Sequence, residues 1–123
     1  MTSTRHPLVL VKRSSIHGRG GFARTDIKKG TWIIEYKGEK ITKKEAEKRA
    51  EKEERTGRTY IFEVNKRYDI DGASKGNQAR FINHTKKNPN CEAICVQGKS
   101  IWIKARRNIE KGEELLYDYG FSL

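Results

Sequence analysis

Arg80-Phe81-Ile82-Asn83-His84, continuing through Thr85-Lys86-Lys87-Asn88-Pro89-Asn90-Cys91, decides how the rest of the chain is read. Two apolar residues are followed at once by an amide and an imidazole. Pro89 forces a turn, because proline fixes its own φ and pushes the preceding residue out of the helical region. A buried approach ending in Asn-His beside a rigid Asn-Pro-Asn corner suits a ligand pocket, where a few fixed polar groups orient a small molecule. Taken alone, the segment reads more simply as a short helical turn capped by Asn83. A second stretch near the C-terminus changes the balance: Gly112-Glu113-Glu114-Leu115-Leu116-Tyr117-Asp118-Tyr119-Gly120-Phe121.

Composition sets the bounds around these two segments. With 123 residues the chain is read as one domain, 1–123, with one modest core. Hydrophobic residues make up 34% and charged residues 35%, values that approach those of disordered chains. The apolar residues are grouped into strand-like runs, however, which argues for a folded domain with a very polar surface. No apolar run approaches a membrane span and the N-terminus lacks a signal-peptide core, so a soluble intracellular protein without membrane contact is expected. Two cysteines, Cys91 and Cys95, form neither a disulfide framework nor a zinc site and are expected as reduced thiols. The formal net charge of +11 favours proximity to nucleic acid or acidic proteins, although the same charge also serves solubility.

Read in order, the chain is mostly β. Strands are expected at Leu8–Arg13, Thr31–Tyr36, Tyr60–Val64, Tyr68–Asp71, Glu92–Val96, Ile101–Ala105 and Glu114–Tyr117. Between the first two lies His17-Gly18-Arg19-Gly20-Gly21, where glycines let the backbone approach a ligand or simply form a tight hairpin. Lys37–Lys40 is read as a hairpin-like turn. Thr42-Lys43-Lys44-Glu45 fits a capping box opening a helix to about Glu54, ended by Gly57. That helix has only Ala46 and Ala50 for a small buried face, and its mixed charges read as a solvated surface.

The three histidines, His6, His17 and His84, lack metal-ligand spacing, so no metal site is expected. Tyr117 and Tyr119 share one face of an extended strand. Without further context they read as core-edge aromatics.

Together the two long motifs resemble the signature of the SET-domain protein lysine methyltransferases. That family carries Arg-Phe-Ile-Asn-His-Ser ending in Pro-Asn-Cys, and Gly-Glu-Glu-Leu-Thr-Tyr-Asp-Tyr-Gly near its end. This chain differs by Thr85, a short basic insertion and Leu116. The resemblance extends over nearly the whole chain. It implies a β-clip fold of small sheets, with a core at about 8–121, a variable helical insert at 42–58 and a C-terminal segment threaded under the Asn-His loop.

For activity, the resemblance implies methyl transfer from S-adenosyl-L-methionine to the side-chain amine of a lysine in a protein. Gly18, Arg19 and Gly20 would then cradle the cofactor through their backbone. Asn83 would hold its amino-acid part, His84 its adenine, and Arg80 and Phe81 would pack beneath. Tyr119 would place its hydroxyl at the transferring methyl, and Tyr60 would accept a hydrogen bond from the amine. Tyr117 matches the position that sets product state and favours monomethylation. Glu113 and Glu114 are read as structural or groove-lining.

The family's flanking zinc-binding cysteine segments have no counterpart here, so the chain resembles the compact stand-alone members of bacteria, archaea and viruses. Either Phe121-Ser122-Leu123 suffices for the missing channel wall, or a partner, a second subunit or the substrate completes it. The expected substrates are basic chromatin or nucleoid proteins, histones included, which sets the chain in the nucleoid or on chromatin. The competing reading is a non-catalytic, basic, β-rich nucleic-acid-binding or interaction module.

Overall fold

A computed structural model describes residues 5–16, 18–54 and 60–118. Among these, ten strands form three small sheets, and one α-helix packs on the third. Strands β1 (Val9–Arg13) and β2 (Arg19–Ala23) form an antiparallel hairpin. The residues read as a glycine loop therefore supply a strand. Gly20 and Gly21 sit where side chains cannot: a Cβ on Gly21 would lie 2.8 Å from Ile82 Cγ1, and one on Gly20 would strike the Glu114 carboxylate.

The largest sheet has the order β3 (Trp32–Glu35), β9 (Ser100–Ala105), β8 (Cys91–Val96), β10 (Leu116–Tyr117), β7 (Asn83–His84). Strand β9 shows why it forms: Ile101, Ile103 and Ala105 are buried while Trp102 and Lys104 face outward, the alternation a one-sided sheet requires. The β8–β9 hairpin turns through Gln97 and Gly98, both at positive φ (54° and 65°), as a tight hairpin connection demands.

The third sheet holds β4 (Glu39–Thr42), β6 (Tyr68–Asp71) and β5 (Ile61–Glu63). Lys37–Lys40 thus does not close a hairpin; β3 and β4 belong to different sheets, because β3 finds its partner in β9. The helix α1 (Lys43–Glu54) packs on β4 and β6. Thr42 Oγ1 accepts from the Glu45 N–H at 3.2 Å as the capping box requires, but the Glu45 carboxylate binds Arg49 one turn on. Only Ala46 is buried; Ala50 is exposed. Arg49 also reaches Glu39 and the buried Asp71, each at 3.0 Å, which fixes the insert to its sheet. The expected end at Gly57 lies outside the described residues. No helix among the described residues is long and apolar enough to cross a membrane.

A short 3-10 helix, Gln78–Phe81, precedes β7, and its cap is Asn77 rather than Asn83. Asn83 instead enters the sheet, where Leu116 is its parallel partner. Strand β10 lies between β7 and β8, the two strands that residues 85–90 join, so that connection closes over the C-terminal segment as the threaded topology requires. Buried Asn90 pins the crossing. Its side chain accepts from Leu116 N and donates to Glu114 O, both at 2.9 Å.

Candidate cofactor cradle and aromatic channel

The fold brings the two sequence motifs and the glycine hairpin to one place. Asn83 is buried, and its Nδ2 donates to Arg19 O at 3.1 Å and to Glu114 Oε2 at 3.0 Å. Glu114 Oε1 and Oε2 also lie 3.0 and 2.9 Å from Ser14 Oγ, which accepts the Ile16 N–H at 2.9 Å. Ser14 N donates to Gly18 O at 2.7 Å. One carboxylate therefore ties the turn before β2 to the Asn-His strand, and the Asn83 amide carries the tie on to Arg19 of β2. The absence of a side chain on Gly20 leaves room for it. Gly18 sits at φ 48°, a conformation glycine takes without strain, and both Gly18 and Arg19 are exposed. His84 is exposed beside Asn83, with Tyr117 as its cross-strand partner.

Behind this cradle runs an aromatic row. Tyr117 is buried and stacks on Phe62 (centroids 5.8 Å apart, planes at 30°), and Phe62 meets Tyr36 edge-on at 4.6 Å. Tyr36 donates its hydroxyl proton to Tyr60 O at 2.9 Å, and Gly72 N donates to the same carbonyl at 2.9 Å. Tyr60 N donates to Glu53 Oε1 at 2.9 Å. The backbone of Tyr60 is thus held from three sides, which fixes where its half-buried ring emerges. The Arg80 guanidinium lies 5.7 Å from the Tyr60 ring and 4.9 Å from the Phe81 ring. Arg80 also donates to Ala73 O at 3.3 Å.

Gly18, Arg19, Gly20, Asn83 and His84 therefore adjoin one another, and Tyr60, Arg80 and Phe81 form a second group. Tyr117 connects the two, as cross-strand partner of His84 and stacking partner of Phe62. Tyr119 lies outside the described residues. The sequence reading missed Tyr36, Ser14 and the central position of Glu114. Tyr36 ends an apolar run and reads as core, and Ser14 and Glu114 are 100 positions apart. No local pattern announces either contact.

Cys91 and Cys95 are both free. Burial pushes the Cys91 thiol up to about 12, whereas Cys95 is exposed and its Sγ lies 3.1 Å from Val64 O.

A mostly β domain with a carboxylate-tied glycine hairpin, an Asn-His strand and a threaded C-terminal strand is a known class of fold. The SET domain family matches residues 18–120, and the chain belongs to that family. It is 42% identical over 114 residues to the histone-lysine N-methyltransferase MEDEA of Arabidopsis thaliana, covering 90% of this chain and 16% of that protein. It is 40% identical over 124 residues to the histone-lysine N-methyltransferase set-2 of Caenorhabditis elegans, covering 97% of this chain and 8% of that protein. Among solved structures, a humanized mutant of the Chaetomium thermophilum Polycomb Repressive Complex 2 bound to the inhibitor GSK126 aligns with a TM-score of 0.76 and 32% identity. That alignment covers 94% of this chain and 15% of that one. The chain thus spans a small part of the length of these relatives.

Proposed function

We propose that this SET domain is a protein-lysine N-methyltransferase using S-adenosyl-L-methionine, with a lysine of a basic chromatin or nucleoid protein as substrate and a preference for one methyl. The observation that carries the reading is the Asn83 amide held between Arg19 O and Glu114, which joins the glycine hairpin to the Asn-His strand. The residues present fit the cofactor. Exposed main chain at Gly18 and Arg19 and the adjoining His84 can meet its polar ends, while the Gly20 position admits no side chain.

The bound cofactor supplies an electrophilic methyl on a sulfonium and a neutral thioether leaving group. The chain's own contribution is alignment and desolvation. The lysine amine must arrive unprotonated, and an aromatic-walled channel disfavours its cation. Tyr60, fixed at its backbone by Tyr36, Gly72 and Glu53, offers a hydroxyl to orient the amine lone pair. Tyr119, by its place in the sequence motif, is assigned to the methyl. Holding the two reactants in line accounts for much of the acceleration, since no bond to the enzyme forms. A hydroxyl at Tyr117 would retain water in the space that a second methyl needs, the basis for the monomethyl preference. The amine proton leaves to water.

Transfer of labelled methyl from S-adenosyl-L-methionine to a panel of basic proteins, read by mass spectrometry, tests the reading. Label on lysine, lost in Tyr119→Phe while cofactor binding persists, is the expected result. Absence of cofactor binding by the wild-type chain would overturn it. Repulsion between this basic domain and a basic substrate is eased if the substrate lies on nucleic acid.

A further inference from the structure

The charge of the chain is unevenly spread. Residues 37–71 carry 11 of the 27 basic and 9 of the 16 acidic residues, leaving 16 basic against 7 acidic in the rest. Much of that surplus meets at one end of the domain, where three turns are sewn together. Ile27 and Ile109 form a bridge, Lys29 N donates to Asn108 Oδ1 at 2.8 Å, and Gly30 N donates to Ala105 O at 2.9 Å. Arg106 N donates to Asn90 O at 2.9 Å, bringing in the 85–90 turn.

These turns present Lys28, Lys29, Lys86, Lys87, Arg106 and Lys111, all exposed and, among the described residues, in no ion pair. The acids nearby are already engaged. Asp26 accepts the Lys111 N–H at 2.8 Å, and Glu113 accepts the Glu110 N–H at 2.7 Å and pairs with Arg107 at 3.3 Å. Asp26 and Glu110 are the exposed acids in these turns, two against the six cations.

We infer that this end of the domain is a docking surface for the phosphate backbone of nucleic acid. The inference stands apart from the methyl-transfer reading, because it rests on none of the cradle or channel residues. Six cations on hydrogen-bonded turns, outnumbering the exposed carboxylates beside them, match a linear array of phosphates, which needs charge and no pocket. A protein partner would require a buried apolar or aromatic anchor. Of the exposed large apolar residues of the described chain, Leu10 and Ile16 lie on β1 and just after it, and Trp32, which follows the Lys28–Thr31 turn, is covered on its ring by Lys104 at 4.6 Å.

The test is binding of the full chain to a fluorescent mixed-sequence DNA duplex at several salt concentrations. About five phosphate contacts predict a slope of log Kobs against log[salt] near −4.5. Replacing Lys28, Lys29, Lys86, Lys87 and Arg106 by Gln is expected to remove most of that slope and to weaken binding at least about tenfold at 0.15 M salt. The control replaces five exposed cations of the insert and of the β5–β6 turn, Lys44, Lys48, Lys52, Lys66 and Arg67, and should change affinity less than about twofold. The pair Lys86→Gln/Lys87→Gln alone, on one surface turn, should lower the slope by about two. Equal losses in both five-residue variants would show that net charge, not this surface, does the binding. Tighter binding of polyglutamate than of the duplex would show that the surface serves acidic protein instead. Either result overturns the inference, as does duplex binding that ignores salt.

Discussion

The Nδ2 of Asn83 lies 3.0 Å from Oε2 of Glu114, 31 positions away, and the same carboxylate holds Ser14. Three separate stretches of chain meet at one charged group, and the proposed cofactor loop is shaped by it. Glu114→Gln would turn one accepting oxygen into a donor facing Asn83 or Ser14. Cofactor affinity should fall by about tenfold, one charge-assisted hydrogen bond's worth. Titration calorimetry with S-adenosyl-L-methionine checks this, and unchanged affinity would remove Glu114 from the cradle.

Tyr36→Phe deletes the hydroxyl that fixes Tyr60 O but keeps the ring against Phe62. Gly72 N still donates to that carbonyl, so stability should fall by only about 1 kcal/mol. Transfer of the first methyl should fall more, by about tenfold, because misplacing an aligned group costs rate directly. Rate and melting temperature measured together separate the two effects. A loss of stability with no loss of rate would make Tyr36 purely structural.

All four polar groups of Asn90 are used, and the residue is 2% exposed. Asn90→Asp replaces a donor with a carboxylate oxygen pointed at Glu114 O. A cost of about 3 kcal/mol is expected, from the lost bond and the repulsion left in its place. Urea denaturation gives the number; a change under 1 kcal/mol would mean that the crossing is held elsewhere.

The Glu110 N–H, and then the Arg107 guanidinium, hold the Glu113 carboxyl below its ordinary value of 4.5. A depressed folded value stabilises fully above the unfolded one and is lost as pH falls through the folded one. Melting temperature should therefore drop from about pH 4.5 downward, less steeply in Glu113→Gln. Identical acid limbs in the two proteins would contradict the assignment.

Burial keeps the Cys91 thiol protonated at neutral pH, with its value pushed up to about 12. Iodoacetamide should label exposed Cys95 in the folded protein and Cys91 only after unfolding. Peptide mapping before and after denaturation reads this out.

Much was legible beforehand because it is local. The alternation of Ile101, Trp102, Ile103 and Lys104 specifies a one-sided strand wherever it docks. Thr42 three residues before Glu45 specifies a helix start, and Asn83-His84 with the Gly112–Gly120 segment specifies a family. What the sequence alone could not decide were the partners. Whether β3 pairs with β4 or β9 depends on which apolar face covers the core, and only the assembled sheet settles that. Asn83 changed from helix cap to sheet strand because β10 offered it a parallel partner. The tie of Ser14 to Glu114 and of Tyr36 to Tyr60 depends on loops closing over long separations. Directional contacts of that kind leave no periodicity in the chain, because hydrogen bonds are chosen by position in space and not by spacing in sequence.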